Sequence, residues 1–553
     1  MEDSLRQQLE NDEYVPGTEH ILADEERLIA TYGEVKRHNN VILIPQPSNS
    51  KRDPLNWSVW QKSWQFALLM LITGLTAATS NDAGAAQNQM NADLGISWGS
   101  MNTAAGVLFV GIGYFTLLLS PTAFLYGRKI GYIVCIVLGL FGSLWFARIQ
   151  NTQDSIWNQL LVGASEACAE AQVQLSLSDM FFHHQLGGVL GTYILATSAG
   201  TFLGPLVAGY VSGDISWRWV GWIGVIASGV TLFLVIFTMS ETSFDRKNQT
   251  MMVSPSASSS TDATAHDDLD DEKKTDDDDC QEMGTTFSAS STPPVWKRYW
   301  TSVQIITPAP NLKGWGFKQY LNRLWLTLRV FLFPAVLYSG LQWGSQDAWL
   351  SFYMTTQDEQ WSSDPYNYSD AAVAIMNVPT LIGAFIGCVY GGIYSDHFVM
   401  VMAKRNGGIK EPEMRLWLMM LTAVISPVGM FLFGIGTAKE WPWPVPYVGL
   451  GFIGFGWGCA GDLSMAYLMD AYPAMVLEGM VGVSVINNTI GCIFTFVCSL
   501  WLDSQGPLRT YVAIGVLDFF FMMLTIPMIY YGKTCRIKTK KLYYNFLQAR
   551  DGM

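Results

Sequence analysis

Twelve stretches of this chain are candidates for crossing a lipid bilayer, and that count governs what it can fold into. A spanning helix needs about 20 mostly apolar residues. The stretches are 64–84, 99–120, 130–148, 156–177, 189–211, 219–239, 330–352, 371–394, 415–436, 445–468, 479–501 and 508–531. They fall as six, a long polar interruption, and six more. Backbone polar groups inside a bilayer must be satisfied within the segment, so stretches of this length read as helices. The predicted fold is an all-α membrane protein with twelve transmembrane helices in two six-helix bundles. The predicted division is a cytoplasmic tail 1–63, a bundle 64–239, a cytoplasmic acidic loop 240–328, a bundle 329–531 and a cytoplasmic tail 532–553.

Charge supports this division. The chain is 14% charged with net charge −13, against about 25% charged in a typical soluble protein. Residues 1–63 and 240–328 hold 40 of the 79 charged residues in 152 positions, so the remaining 401 positions are charge-poor. Short cytoplasmic loops are rich in Lys and Arg. With both termini inside, inner segments hold 29 of the 33 basic residues, and only Arg148, Arg218, Lys439 and Arg509 lie outside. An odd number of spans would move the Lys533–Lys541 cluster to the outer side. The acidic balance also argues against nucleic-acid binding, which needs a basic footprint.

The tail 1–45 reads as flexible and acidic. The central loop carries Ser256–Ser260 and Asp276–Asp279, and its composition predicts disorder. Trp296–Phe317 is aromatic and basic and is expected along the inner membrane surface. Each half has a short basic loop between its second and third spans. In the first it is Tyr126-Gly127-Arg128-Lys129; in the second it is Gly392 to Asp396 with Lys404-Arg405. Matching inner loops fit a transporter built from parallel repeats. Span five contains Gly200, Gly204-Pro205 and Gly209, a smooth face that a second helix can approach closely.

These motifs carry a resemblance. The chain resembles the major facilitator superfamily, in the fungal drug:proton antiporter-1 group of twelve spans. Gly204-Pro205 to Gly209 is similar to the antiporter motif of span five, and Tyr126-Gly127-Arg128-Lys129 to the loop motif between spans two and three. Asp53-Pro54 with Asn56-Trp57 resembles the lead-in signature. Trp217-Arg218-Trp219 resembles the start of span six, and Glu241-Thr242 with Phe244-Asp245-Arg246 its exit. Ala403 to Gly408, Glu411-Pro412-Glu413 and Arg415-Leu416-Trp417 closely resemble the branch that includes the yeast histidinol and polyamine transporter. Two departures stand out. Phe124 occupies the position of the family's acid before Tyr-Gly-Arg, so a charge latch there is in doubt. Span four reads Gln159-Leu-Leu-Val162-Gly163 where the family usually has Arg-x-x-Gln-Gly, so coupling through that Arg is in doubt.

Acids inside apolar spans usually face a water-filled cavity, since a charge at the bilayer centre costs about 2.5–3.5 kcal/mol on insertion scales. Glu166 and Glu170 are four apart on span four and share one helix face. Such a pair can hold a proton and release it when a cation arrives. Glu170 matches a family acid, and Glu166 is an addition. Asp82 is read as a cavity residue or as an outer boundary residue, and Asp462 is a further cavity candidate; Asp347, expected near the outer end of span seven, is a weaker one. Trp343, Tyr338 and Tyr467 are candidate aromatic walls for a cation, with packing the favoured reading of each. Asn487-Asn488 is either substrate contact or interhelix glue. Asp470 resembles an inner-end gating or structural residue. Arg128, Lys129, Asp396, Lys404 and Arg405 are expected to latch the inner face, and the span-five glycines to form part of the interbundle seam.

The chain has no GxxxxGK[ST], no HExxH and no nucleophile elbow, so it is not expected to be an enzyme. His183-His184 read as loop residues. The eight cysteines form neither a CxxC nor a disulfide pattern, and no cofactor or metal is expected. Asn367 is a candidate glycosylation site in an outer loop. The expected partners are the lipid bilayer, a small-molecule solute and protons, with the chain working as a monomer in the plasma membrane. The motifs imply proton-coupled secondary transport, either export of a drug-like compound or metabolite, or import of polyamines or other organic cations. A nutrient sensor that no longer transports is the third alternative.

Overall fold

A computed structural model describes residues 15–20, 37–38, 41–42, 45, 47–48, 50, 52–182, 185–244 and 303–551. His183-His184, Cys280 and most of the central loop, including Ser256–Ser260 and Asp276–Asp279, lie outside the described residues, as does most of the first tail.

Twelve helical spans form two six-helix bundles. The first six are Val59–Asn81, Trp98–Leu125, Arg128–Ala147, Thr152–Met180, Leu186–Asp214 and Trp217–Thr238. Span seven, Pro334–Trp361, follows a helix and a tight turn over Phe317–Leu332 at a bend of 82°. Spans eight to ten are Asp370–Arg405, Pro412–Ala438 and Pro444–Ala471. Spans eleven and twelve run from Val476 to Met523 and turn at Gly506, where φ is +72° and Pro507 follows. A last helix, Thr525–Asp551, continues span twelve.

The start of the first span has a sequence cause. Asp53 accepts from the Ser48 and Leu55 N–H groups and sets the short turn Pro54–Asn56. Ser58 then caps the helix by accepting from Gln61 N–H, as a helix N-cap should.

The helix pairs repeat with an offset of six. Span one packs on five, two on four and three on six; span seven packs on eleven, eight on ten and nine on twelve. Between bundles, span two meets eleven and span five meets eight. This is the parallel-repeat symmetry that the matching loops implied.

Among the described helices, seven are apolar enough to cross a membrane by length and composition alone, or eight with the bent pair at span seven counted as one. Spans one, four and ten are not among them. Together with the bent seventh, these are every third span, and they carry Asp82, Glu166, Glu170, Asp347 and Asp462. Their polarity is the cost of lining an interior.

The span-five motif needs correction in one respect. Side chains at Gly200 and Gly204 would strike span one: Gly74 O and Ala77 for the first, Ala78 O at 2.7 Å for the second. Only Gly209 meets the other bundle, at Ala374. The motif is therefore mainly a seam within the first bundle. The first tail also differs from the flexible expectation where it is described. Val15 to His20 is docked: Glu19–His20 pairs antiparallel with Ile409–Lys410, and Pro16 O accepts from Arg536. Residues 532–551 of the last tail are helical, with Tyr543, Phe546 and Leu547 buried.

The wall facing Gly204 is backbone and cannot yield. Gly204→Val is expected to cost about 1–3 kcal/mol by overpacking, read as a lower melting temperature. Gly213→Ala, where nothing stands within 4 Å, is expected to leave it unchanged.

Candidate functional site

The described ends of the chain, Val15 and Asp551, and the residues that flank the central loop, Phe244 and Val303, lie at one end of the bundles, here called the tail face. The opposite end is the far face.

Between them, carboxylates from two bundles converge. Span four is α-helical to Ala167 and widens into a π-helical turn over Cys168–Val173. Such turns frequently mark functional sites. Glu166 precedes the turn and Glu170 lies within it. Asp347 of span seven lies within electrostatic reach of both. Glu166 is buried, whereas Glu170 and Asp347 keep partial exposure. Ser80 of span one stands beside Glu166, Ser484 beside Glu170 and Asn487 beside Asp347. Trp457 Nε1 donates to Asp347 at 2.6 Å. Trp457 lies 4.8 Å from the Trp343 ring, and Phe202 of span five meets it edge-on at 5.9 Å. Among the described residues, no Lys or Arg forms an ion pair with Glu166, Glu170 or Asp347.

Asp347 is central rather than near an end. Span seven extends to Trp361, well past the expected boundary at 352, because Thr355 to Gln360 continue the helix despite their polarity.

Other candidates fall elsewhere. Asp82 is the C-cap of span one at the far face. Asp462 is fully buried in the interbundle seam, against Gly191 of span five and Gly391-Gly392 of span eight, and neither of its oxygens has a hydrogen-bond partner among the described residues. Tyr467 is not with the acids. It packs against Tyr338 at 5.7 Å and beside Gly532. Asn488 donates to Ser484 O and lies against Gly113 of span two, so it joins the bundles. Asn487 faces the acids, with its Oδ1 unpartnered among the described residues. Asn367 is exposed between spans seven and eight.

The tail face carries a charge network. Gly127 turns with φ +96°, and Glu241 accepts from the Arg128 and Lys129 N–H groups at the start of span three. Arg128 pairs with Asp179 at 3.3 Å. Lys129 Nζ donates to the Ile236 and Val303 carbonyls. The acid missing at Phe124 is replaced by another contact, since the guanidinium groups of Arg128, Arg323 and Arg550 stand over its ring at 5.2, 5.0 and 5.9 Å. Cation–π attraction thus links the first bundle to the last helix.

In the second bundle Lys404 and Arg405 are exposed and form no ion pair among the described residues, so they are not the latch. Arg415 takes that role. It binds Asp396 at 2.9 Å and Asp470 at 3.2 Å, and Lys410 binds Asp470 at 3.0 Å. Asp396 also accepts from Gly188 N–H at 3.0 Å, at the positive end of span five. A side chain at Gly187 would strike the same carboxylate. This clasp closes the tail face between spans five and eight.

Two buried groups were not anticipated. Asp518 of span twelve accepts from Gln346, Trp349 and Ser426 at 2.6–3.0 Å. Glu413 and Arg536 form an ion pair at 2.6 Å. Glu413 and Arg415 belong to a segment whose resemblance was visible but whose partners were not. Among the described residues no cluster of metal ligands occurs, and the described cysteines are free.

If Arg415 holds the clasp, Arg415→Ala should expose the native, buried Cys388, which lies against Gly191 of span five in the seam. The expected result is several-fold faster maleimide labelling, read by peptide mass spectrometry; an unchanged rate would contradict the clasp.

Comparison with known proteins agrees with this architecture. The family model described as Major Facilitator Superfamily matches residues 66–497. An uncharacterized MFS-type transporter of Schizosaccharomyces pombe is 52% identical, with 98% of this chain and 97% of that protein covered. Protein HOL1 of Saccharomyces cerevisiae is 51% identical, with 98% of each covered. The solved proton:xylose symporter XylE shares the fold at a TM-score of 0.53 and 13% identity, over 83% of this chain and 96% of that one. The chain belongs to the major facilitator superfamily, as a multi-pass membrane transporter of small solutes and not an enzyme.

Proposed function

We propose that this protein is a proton-coupled importer of small organic cations. The observation that carries the reading is the meeting of Glu166, Glu170 and Asp347 with no basic partner among the described residues. Like charges within electrostatic reach of one another are costly to keep ionised together without a counter-charge. A proton on one carboxylate and a cationic solute on the others supply it together, so that both cross in the same direction. The aromatic wall of Trp343 and Trp457 suits an organic cation over a bare ion.

In this reading the solute enters from the far face while the Asp396–Arg415 clasp keeps the tail face shut. Rocking of the bundles then opens the clasp and closes the far face. Asp462, buried in the same seam without a hydrogen-bond partner among the described residues, would be a second group whose protonation follows that motion. The distribution of basic residues supports a cytoplasmic tail face in the plasma membrane, with Asn367 glycosylated outside. The resemblance of Ala403–Trp417 to the histidinol and polyamine branch supports uptake. A second reading is proton-driven export, favoured by the Gly204-Pro205 to Gly209 motif.

Reconstituted vesicles with an imposed pH gradient separate these readings by the direction of flux in a screen of organic cations. Glu170→Gln is expected to lower the proton-driven flux about tenfold or more, equivalent to about 1.4 kcal/mol. Unchanged flux in that variant would remove Glu170 as the coupling residue.

A further inference from the structure

The far face holds a cleft, open to solvent, between the ends of spans one and seven and the start of span eight. It is separate from the central carboxylates, and its walls have an unusual composition. Asp358 and Asp370 both line it, and neither forms an ion pair among the described residues. Asp370 accepts from Asn88 Nδ2 at 3.0 Å, a neutral partner that leaves its charge in place. Trp98 adds an aromatic wall.

Gln357 provides the second, independent observation. It lines the cleft and is 3% exposed. Its Nε2 donates to Val373 O at 3.0 Å, and its Oε1 has no partner among the described residues. Leaving a buried carbonyl unsatisfied is destabilising, and a donor arriving in the cleft would relieve that. Two carboxylates, an amide oxygen in want of a donor and an aromatic face all call for the same ligand chemistry, a cation bearing N–H groups. A bare metal ion fits poorly, because among the described residues no three metal-ligating side chains gather.

The cleft is also aligned with the central site. Asp347, Met354 and Asp358 stand at i, i+7 and i+11 on one unbroken helix, hence on one stripe. At 1.5 Å per residue, Asp347 and Asp358 are about 16 Å apart along the axis.

We propose that this cleft is a second binding station for ammonium groups, which captures an organic cation at the far face before it reaches Glu166, Glu170 and Asp347. The station rests on the cationic-solute reading above and adds a site to it. It concentrates cations where exposed charge is screened by salt, so its contribution falls as ionic strength rises.

The test titrates the full-length protein in detergent with spermidine, used as a probe organic cation, by calorimetry. Wild type is compared with the double variants Asp358→Asn/Asp370→Asn and Glu166→Gln/Glu170→Gln. Two classes of site are expected in wild type. The vestibular variant should weaken one class about tenfold and keep the other, which also shows that it is folded. The central variant should keep the vestibular class, with its dependence on salt. A single class of site that survives Asp358→Asn/Asp370→Asn overturns the station and leaves the cation reading standing. No spermidine binding by wild type overturns both.

Discussion

The structure turns on three carboxylates that share one interior space with no basic ion-pair partner among the described residues. Glu166 and Glu170 come from the first bundle and Asp347 from the second. Holding even one charge at membrane depth is costly, of the order of 3 kcal/mol on insertion scales. The protein tolerates three because spans one, ten and eleven surround them with Ser80, the indole N–H of Trp457, and Ser484 and Asn487. Each of these groups is neutral. They soften the cost of the charge and leave it uncancelled, which is what a site for an exchangeable cation requires.

The same logic separates Asp518 from this group. It is equally deep, but three donors converge on it. A carboxylate so fully engaged has little left to offer a ligand, and it ties span twelve to spans seven and nine. Burial of an acid in a span is thus a weak sign of function. The balance of donors around it decides.

Much of the fold was legible because apolar length and basic-loop asymmetry are properties of local segments. The even span count, the repeat of six and the acid pair of span four follow from them. Contacts between segments were not legible. Nothing local shows that Gly200 and Gly204 face span one, that Tyr467 turns from the acids to Tyr338, or that Lys404 and Arg405 stand free while Arg415 carries the clasp. Asp347 was misjudged because polar residues through Gln360 hid the last turns of its helix. Phe124 shows the limit of motif matching. The acid is lost, yet three guanidinium groups over its ring still tie that loop to the end of the chain.

The central claim is that a proton and a cationic solute occupy one set of carboxylates together and cross together. An inward gradient of an organic cation, imposed on reconstituted vesicles that hold a pH-sensitive dye and have their membrane potential clamped, reads the proton movement that accompanies the cation. The account predicts acidification of the vesicle lumen as the cation enters, and its absence when Glu166 and Glu170 are both replaced by Gln. Cation entry with no change in lumenal pH, or with alkalinisation, would contradict it.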